Sequence, residues 1–185
     1  TSSNTISAGV CTGLGIAPQK IKEVIGVSKA YCTRVGSGPF PTELHDETGE
    51  RLRKIGNEFG ATTGRPRRCG WIDLVALDFA CMINGVTQIV MTKADVLDAF
   101  EELSVCTSYK VNGKDQKSVP YQMNKVPIEP QYQQFKGWQT DVTKMKTTEE
   151  LPQEMKEYIQ FINNYLGVEV SYISNGPERE QIIKA

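Results

Sequence analysis

One histidine, His45, serves a chain of 185 residues. A multi-histidine zinc centre is therefore excluded, and a histidine-based triad would have to be built on that residue. The five cysteines, Cys11, Cys32, Cys69, Cys81 and Cys106, are odd in number and include no Cys-x-x-Cys pair. In a chain long enough to bury a core without covalent staples they read as reduced thiols, and the expected compartment is the cytoplasm. Net charge is missing too. The 21 basic and 22 acidic side chains leave -1, so no domain-wide field attracts a polyanion, and neither nucleic-acid binding nor a basic tail is expected. Long apolar runs are also absent. The most apolar stretch, WIDLVALDFACMIN at 71–84, carries Asp73 and Asp78 and falls short of the roughly 20 residues a membrane span needs; it reads as a buried helix. The opening TSSNTISAGVCTGLG has no initiator Met and neither the basic nor the apolar region of a secretory signal, so the chain is expected to start inside a longer protein.

What is present, 39% hydrophobic and 23% charged residues without repeats, fits a single folded domain over 1–185. The Gly-, Ser- and Thr-rich opening is expected to be a loop, followed by a short helix over 18–27 and a strand over SKAYCTRV. Leu52, Ile55 and Phe59 predict a helix within ETGERLRKIGNEFG that ends near Gly60. VTQIVM is dense in β-branched residues and predicts an interior strand. DVLDAFEEL predicts a helix capped by Asp95, and SVCTSYKV a strand ending at the Asn112-Gly113 turn. Across 114–147, Pro120, Pro127 and Pro130 argue against long regular elements. Met155, Tyr158, Ile159, Ile162 and Leu166 form an apolar stripe that predicts a helix from about Pro152. VEVSYI predicts a last strand. Strands alternating with helices predict an α/β fold, a layered, mostly parallel sheet flanked by helices.

Three loops carry residue types suited to binding. In ATTGRPR, at 61–67, an extended backbone would send Arg65 and Arg67 to one side and Arg68 to the other. Two converging guanidiniums trap an anion, with Thr62 and Thr63 adding hydroxyls and Gly64 and Pro66 shaping the backbone. A solvated turn with loosely paired arginines is the plainer alternative. In TKAD, at 92–95, Asp95 has the acceptors to take both the N1 hydrogen and the exocyclic amine of guanine, donors that adenine lacks in that arrangement. Lys93 would lay its stem along the base; otherwise Asp95 is a helix cap and Lys93 a surface residue. SNGPER follows the last strand, where Ser174 and the Gly176 backbone would complete a base pocket with Asp95, or form an ordinary turn.

Taken in order, TSSNT, TRVGSGPFPTEL, GNEFGATTGRPRRCGWID, NGVTQIVMTKADVLDAF and ISNGPERE resemble the C-terminal part of the adenylosuccinate synthetase family. The resemblance covers essentially all of the chain, and the pairing of GATTGRPRRCGW with TKAD is its specific element. It implies a P-loop-NTPase-like fold, here only its C-terminal part, and a ligase of purine biosynthesis that joins IMP and L-aspartate at the expense of GTP. The GTP γ-phosphate goes to the 6-oxygen of IMP, and the aspartate amine then displaces it. The resemblance also implies Mg2+, held by the N-terminal part, and a homodimer. For IMP and aspartate it implicates Thr1, Val35 and the loop Ala61, Thr62, Thr63, Gly64, Arg65, Pro66 and Arg67. For GTP it implicates Arg67, Lys93, Ala94 and Asp95, with Ser174, Asn175 and Gly176 in a loop over 174–177. The family's GDEGKGK phosphate loop, its catalytic aspartate and its catalytic histidine have no counterpart here, and His45 lies outside the catalytic-histidine motif. The expectation is a fragment that binds guanine nucleotide weakly and does not turn over. A free-standing guanine-nucleotide module is the alternative, and a basic-loop RNA binder a third reading.

Overall fold

The computed structural model of the protein describes residues 4–185. In chain order its elements are α1 (Ala8–Leu14), β1 (Ile25–Lys29), β2 (Cys32–Arg34), α2 (Glu47–Ile55), β3 (Arg68–Gly70), β4 (Ile72–Asp73), α3 (Leu74–Asn84), β5 (Gln88–Thr92), β6 (Glu102–Val111), β7 (Lys114–Gln116), β8 (Ile128–Lys136), α4 (Gln153–Leu166), β9 (Val170–Ser174) and β10 (Ile182–Lys184). Short 3-10 helices occupy Pro18–Lys20 and Ala94–Ala99.

The expected α/β architecture is present. β1, β5 and β9 run parallel and adjacent, and β10 adds antiparallel to β9. In β5 the alternate residues Ile89 and Met91 are buried, so one face of the strand packs on the core. Beside it stands a second sheet in which β4 lies parallel to β6, and β6 pairs antiparallel with β7 and β8. The helix α4 packs against α3 and β8 and contributes to the main core. Its stripe of Met155, Tyr158, Ile159, Ile162 and Leu166 is fully inside, each side chain being worth about 1.5–3 kcal/mol of burial. The Tyr158 hydroxyl donates to the Ala30 carbonyl at 2.8 Å, which ties α4 to the end of β1.

Several local expectations are corrected. The opening loop contains α1, a seven-residue helix with no buried residue and no side-chain cap. The expected helix over 18–27 is a three-residue 3-10 turn, after which β1 begins at Ile25. The helix α2 stops at Ile55 rather than near Gly60. The helix expected over DVLDAFEEL is a 3-10 helix, and Glu102 already opens β6. The segment from 114 to 147 holds the nine-residue β8 despite Pro130. Within the sheet β8 pairs with β6, and at a sheet edge proline's missing N–H is tolerated. The apolar helix α3 is only half buried. Leu74, Val75 and Cys81 face inward while Phe79, Met82 and Ile83 are exposed. Its start is well made, since Asp73 accepts from the Ala76 N–H and from the Tyr109 hydroxyl. All five cysteines are unpaired, and among the described residues no helix is long and apolar enough to cross a membrane.

Asp98 joins the 3-10 helix to the next layer by accepting from Trp138 Nε1 at 2.6 Å and from the Val142 N–H at 3.0 Å. Burial lifts this carboxyl to about 6, against the lowering effect of those two donors. An unfolded aspartate titrates near 3.9, so the folded chain retains the proton in the interval between. The stability that proton brings is present below the lower value and is lost as pH rises towards 6. Thermal melts of the native chain and Asp98→Asn, compared at pH 4 and pH 6, should show the native chain losing ground to the variant over that interval. A difference that does not move with pH would refute the assignment.

Candidate functional site

The carboxyl ends of β1, β5 and β9 open into one cavity of about 550 Å³, walled in part by Lys29, Thr92, Lys93, Asp95, Ser174 and Gly176. Lys29, Thr92 and Ser174 are the final residues of the three strands, and this end of a parallel sheet is where adjacent loops diverge and leave space. The structure thus brings the TKAD and SNGPER loops together on one wall. Lys93 turns the chain with φ 62°, a left-handed conformation that costs a non-glycine residue about 1–2 kcal/mol. Its ammonium donates to the Gly56 carbonyl at 2.8 Å, which holds the stem against the cavity. Asp95 does not cap a helix. The capping position belongs to Lys93, and no side-chain cap is made. Burial raises Asp95 above the usual carboxylate range, opposed by nearby backbone N–H groups and by Lys93. Among the described residues no lysine or arginine forms an ion pair with it.

The flanking residues divide by orientation. Ala94 is fully buried and supports the turn through its backbone. Asn175 is also fully buried, donating from Nδ2 to the carbonyls of Val142 and Met145, so its side chain anchors the 142–145 segment while Ser174 and Gly176 face the cavity. The Ser174 hydroxyl donates to the Gly176 carbonyl at 3.2 Å, which draws the loop over the cavity mouth.

The arginine loop is the tip of a hairpin. Phe59 and Pro66 pair as an isolated bridge. Below them the Arg67 N–H donates to the Glu58 carbonyl, and above them the Gly60 N–H donates to the Arg65 carbonyl. Gly64 closes the tip at φ 63°, where a side chain would be strained. Ala61, Thr62, Thr63, Gly64, Arg65 and Pro66 are all exposed, and the Thr63 hydroxyl accepts from the Arg65 N–H at 3.4 Å. Among the described residues the Arg65 guanidinium has no ion-pair partner. Arg68 turns the other way, as alternation requires, onto the Glu43 carboxylate and the carbonyls of Gly36 and Gly38. The Arg34–Arg68 pair ends the β2–β3 ladder, so Val35, 73% exposed, leaves the sheet beside Arg67. Thr1 lies outside the described residues. His45 is exposed at 3.8 Å from Glu43 and does not line the cavity.

Glu58 connects hairpin and cavity, and sequence reasoning passed it over. The side chain has no exposed surface, yet it pairs with Lys29 at 2.7 Å and Arg67 at 2.7 Å and accepts from the Tyr31 hydroxyl at 2.6 Å. Burial alone would raise this carboxyl; the three hydrogen bonds from Lys29, Tyr31 and Arg67 outweigh it and hold the group below its ordinary value. The Tyr31 hydroxyl is pushed up, by burial first and then by Glu58. Lys29 and Arg67 keep 28% and 31% of their side chains exposed, so two cations stand at the surface over one buried anion. That net positive pair, with Lys29 on the wall of the cavity that Asp95 also lines, suits a ligand with phosphate or carboxylate groups at one end and paired donors at the other. Among the described residues no group of three or more His, Cys, Asp or Glu side chains is placed to hold a metal ion.

A family model described as adenylosuccinate synthetase matches residues 1–183. The adenylosuccinate synthetase of Parabacteroides distasonis is 57% identical over 183 residues, and that of Flavobacterium psychrophilum 58%; each match covers 99% of this chain and 43% of the relative. The solved structure of fully ligated adenylosuccinate synthetase from Plasmodium falciparum superposes with a TM-score of 0.95 at 41% identity, covering 100% of this chain and 45% of that one. The chain thus spans under half the length of the relatives it matches.

Proposed function

Because the chain belongs to the adenylosuccinate synthetase family, we propose that it is the part of a GTP-dependent carbon–nitrogen ligase that reads guanine and grips aspartate. The observation that carries this reading is a shared site. Lys93, Asp95, Ser174 and Gly176 line one cavity, and Lys29 on its wall shares a carboxylate with Arg67 of the arginine loop.

In this reading the Asp95 carboxylate accepts from N1–H and the 2-amine of guanine, and the Lys93 stem covers one face of the base. Ser174 and Gly176 close the edge, with Ala94 and the buried Asn175 as support for their loops. Arg67 faces the phosphates of GTP and the aspartate carboxylate, while Arg65 takes aspartate and the IMP ribose, with Ala61, Thr62, Thr63, Gly64 and Pro66 shaping that loop. Thr1 meets the IMP phosphate and the Val35 backbone the ribose. These residues hold three anionic reactants in register, which is how phosphoryl transfer gains most of its acceleration. Phosphate is moved to the 6-oxygen of IMP and displaced by the aspartate amine through groups that this chain does not carry, and Mg2+ belongs with those groups. Activity is accordingly assigned to the full-length homodimeric enzyme in the cytoplasm, and none to the 185 residues alone. Exposed Ile25 and Val27 on the edge strand β1 support the packing of further protein on that edge.

Titrating the chain with a fluorescent GDP analogue tests base recognition directly. Displacement by GDP but not by ADP is expected, with affinity weaker than that of the full-length enzyme. Equal displacement by both would overturn the assignment of Asp95.

A further inference from the structure

Arg67 and Lys29 come from different parts of the chain, yet each donates to a separate oxygen of the same carboxylate: Lys29 to Oε1 at 2.7 Å and Arg67 Nη1 to Oε2 at 2.7 Å. The arrangement is tightly specified. Tyr31 adds a 2.6 Å bond to Oε1, Lys29 also donates to the Thr33 hydroxyl at 2.9 Å, and Arg53 Nε fixes the Arg67 carbonyl at 2.7 Å. A buried carboxylate is costly unless its oxygens are satisfied, and here every donor it meets belongs to the strip between the nucleotide cavity and the arginine hairpin. The carboxylate engages Nη1 of the Arg67 guanidinium, and the side chain remains partly exposed.

The geometry points to Glu58 as a positioning residue: it locks Arg67 and Lys29 into one unit, so that the cation facing the aspartate and phosphate groups is fixed relative to the guanine cavity. This inference rests on the reading of the site given above and adds a residue that touches no substrate. Were the carboxylate lost, two like charges would stand side by side without their shared counter-ion, and Arg67 would take up other rotamers. Glu58 contributes through the placement of Arg67, so its effect should vanish when Arg67 is no longer an arginine.

The test is a set of variants in a full-length synthetase carrying this segment, with rates normalised to folded enzyme. Glu58→Gln is expected to lower kcat for adenylosuccinate formation about 30-fold, below the roughly 100-fold that a 1 Å misplacement costs, with smaller changes in KM for GTP and aspartate. In an Arg67→Gln background the same change should cost less than about 3-fold. Tyr31→Phe, which removes one donor and keeps the ring, gives a milder version that serves if Glu58→Gln does not fold. It should lower kcat about 3-fold and be silent in the Arg67→Gln background. Penalties that multiply in the double variants, or Glu58→Gln and Tyr31→Phe enzymes with native kinetics and reduced Tm, overturn the inference and leave a purely structural ion pair. A parent enzyme that makes no adenylosuccinate would instead bring down the reading of the site itself, and this inference with it.

Discussion

Asp95→Asn is expected to reduce kcat/KM for GTP about 1000-fold in a full-length synthetase carrying this segment, while raising the use of the xanthine nucleotide XTP. The carboxylate stands on the wall of the cavity at the end of β5, without an ion pair among the described residues and raised by burial. In the proposed complex it accepts two hydrogen bonds from guanine. A charge-assisted bond is worth about 1.5–3 kcal/mol, so losing one and weakening the other amounts to about 4 kcal/mol, or three powers of ten at 1.36 kcal/mol each. Asparagine keeps one acceptor and presents an NH2 to the guanine amine, donor against donor. Xanthine carries a carbonyl where guanine carries that amine, so the same NH2 gains a partner. ATP gains less than XTP, because adenine N1 can accept from the new NH2 but its C2–H gives the remaining amide oxygen no donor. Steady-state kinetics with GTP, XTP and ATP separate these outcomes. A variant that uses GTP as well as the parent would remove Asp95 from base recognition. Protonation acts in the same direction as the mutation. The raised carboxyl must be ionised to accept both bonds, so GTP affinity should fall as pH drops through its folded pKa.

What the sequence made legible followed from periodicity and from short-range chemistry. The α4 stripe repeats at helical spacing, and all five of its apolar residues are buried. The β5 run is dense in Ile and Val and lies in the sheet interior. Alternation along the arginine loop placed Arg68 opposite Arg67, and the two side chains end on Glu43 and Glu58 respectively. The misses came where local preference is weak or is overruled at a distance. No buried residue and no cap holds α1, so its sequence carries no strong helical signal. Pro130 argued against a strand, but the long pairing partner β6 outweighed it at an edge position.

Glu58 was hidden for a more specific reason. Read as part of a helix running to Gly60, it falls among the charges of a solvated face. The helix ends instead at Ile55 with Gly56 as its cap, and Asn57 adopts φ 50°, which swings Glu58 back under the hairpin. Asparagine tolerates that conformation better than most residues, so Gly56-Asn57 was a stop signal present in the sequence. The burial of the carboxylate was not legible, because its partners Lys29 and Tyr31 lie 29 and 27 positions away.

The second large effect concerns Arg65, which unlike Arg67 has no ion-pair partner among the described residues. Arg67 is held by Glu58, whereas the Arg65 side chain stands at an exposed hairpin tip without an ion pair among the described residues. Its removal therefore leaves no buried charge behind, and the fold should be indifferent to it, with Tm unchanged within about 1–2 °C, as for surface substitutions generally. Function is expected to suffer selectively. A guanidinium grips a carboxylate through two parallel bonds, and truncating one partner of such a pair costs about 2–5 kcal/mol. Arg65→Leu should thus lower kcat/KM for aspartate about 1000-fold, with the smaller share of the loss appearing in KM for IMP and almost none in KM for GTP. This ordering follows from position: the hairpin tip carries Arg65 beyond the Glu58–Arg67 rung, whereas the cavity proposed for guanine is linked to that rung from below through Lys29. Initial-rate measurements varying each substrate at saturating levels of the other two give the three constants. If Arg65→Leu retains its dependence on aspartate, the hairpin tip does not hold that substrate, and the free guanidinium must be explained by something other than the amino-acid site.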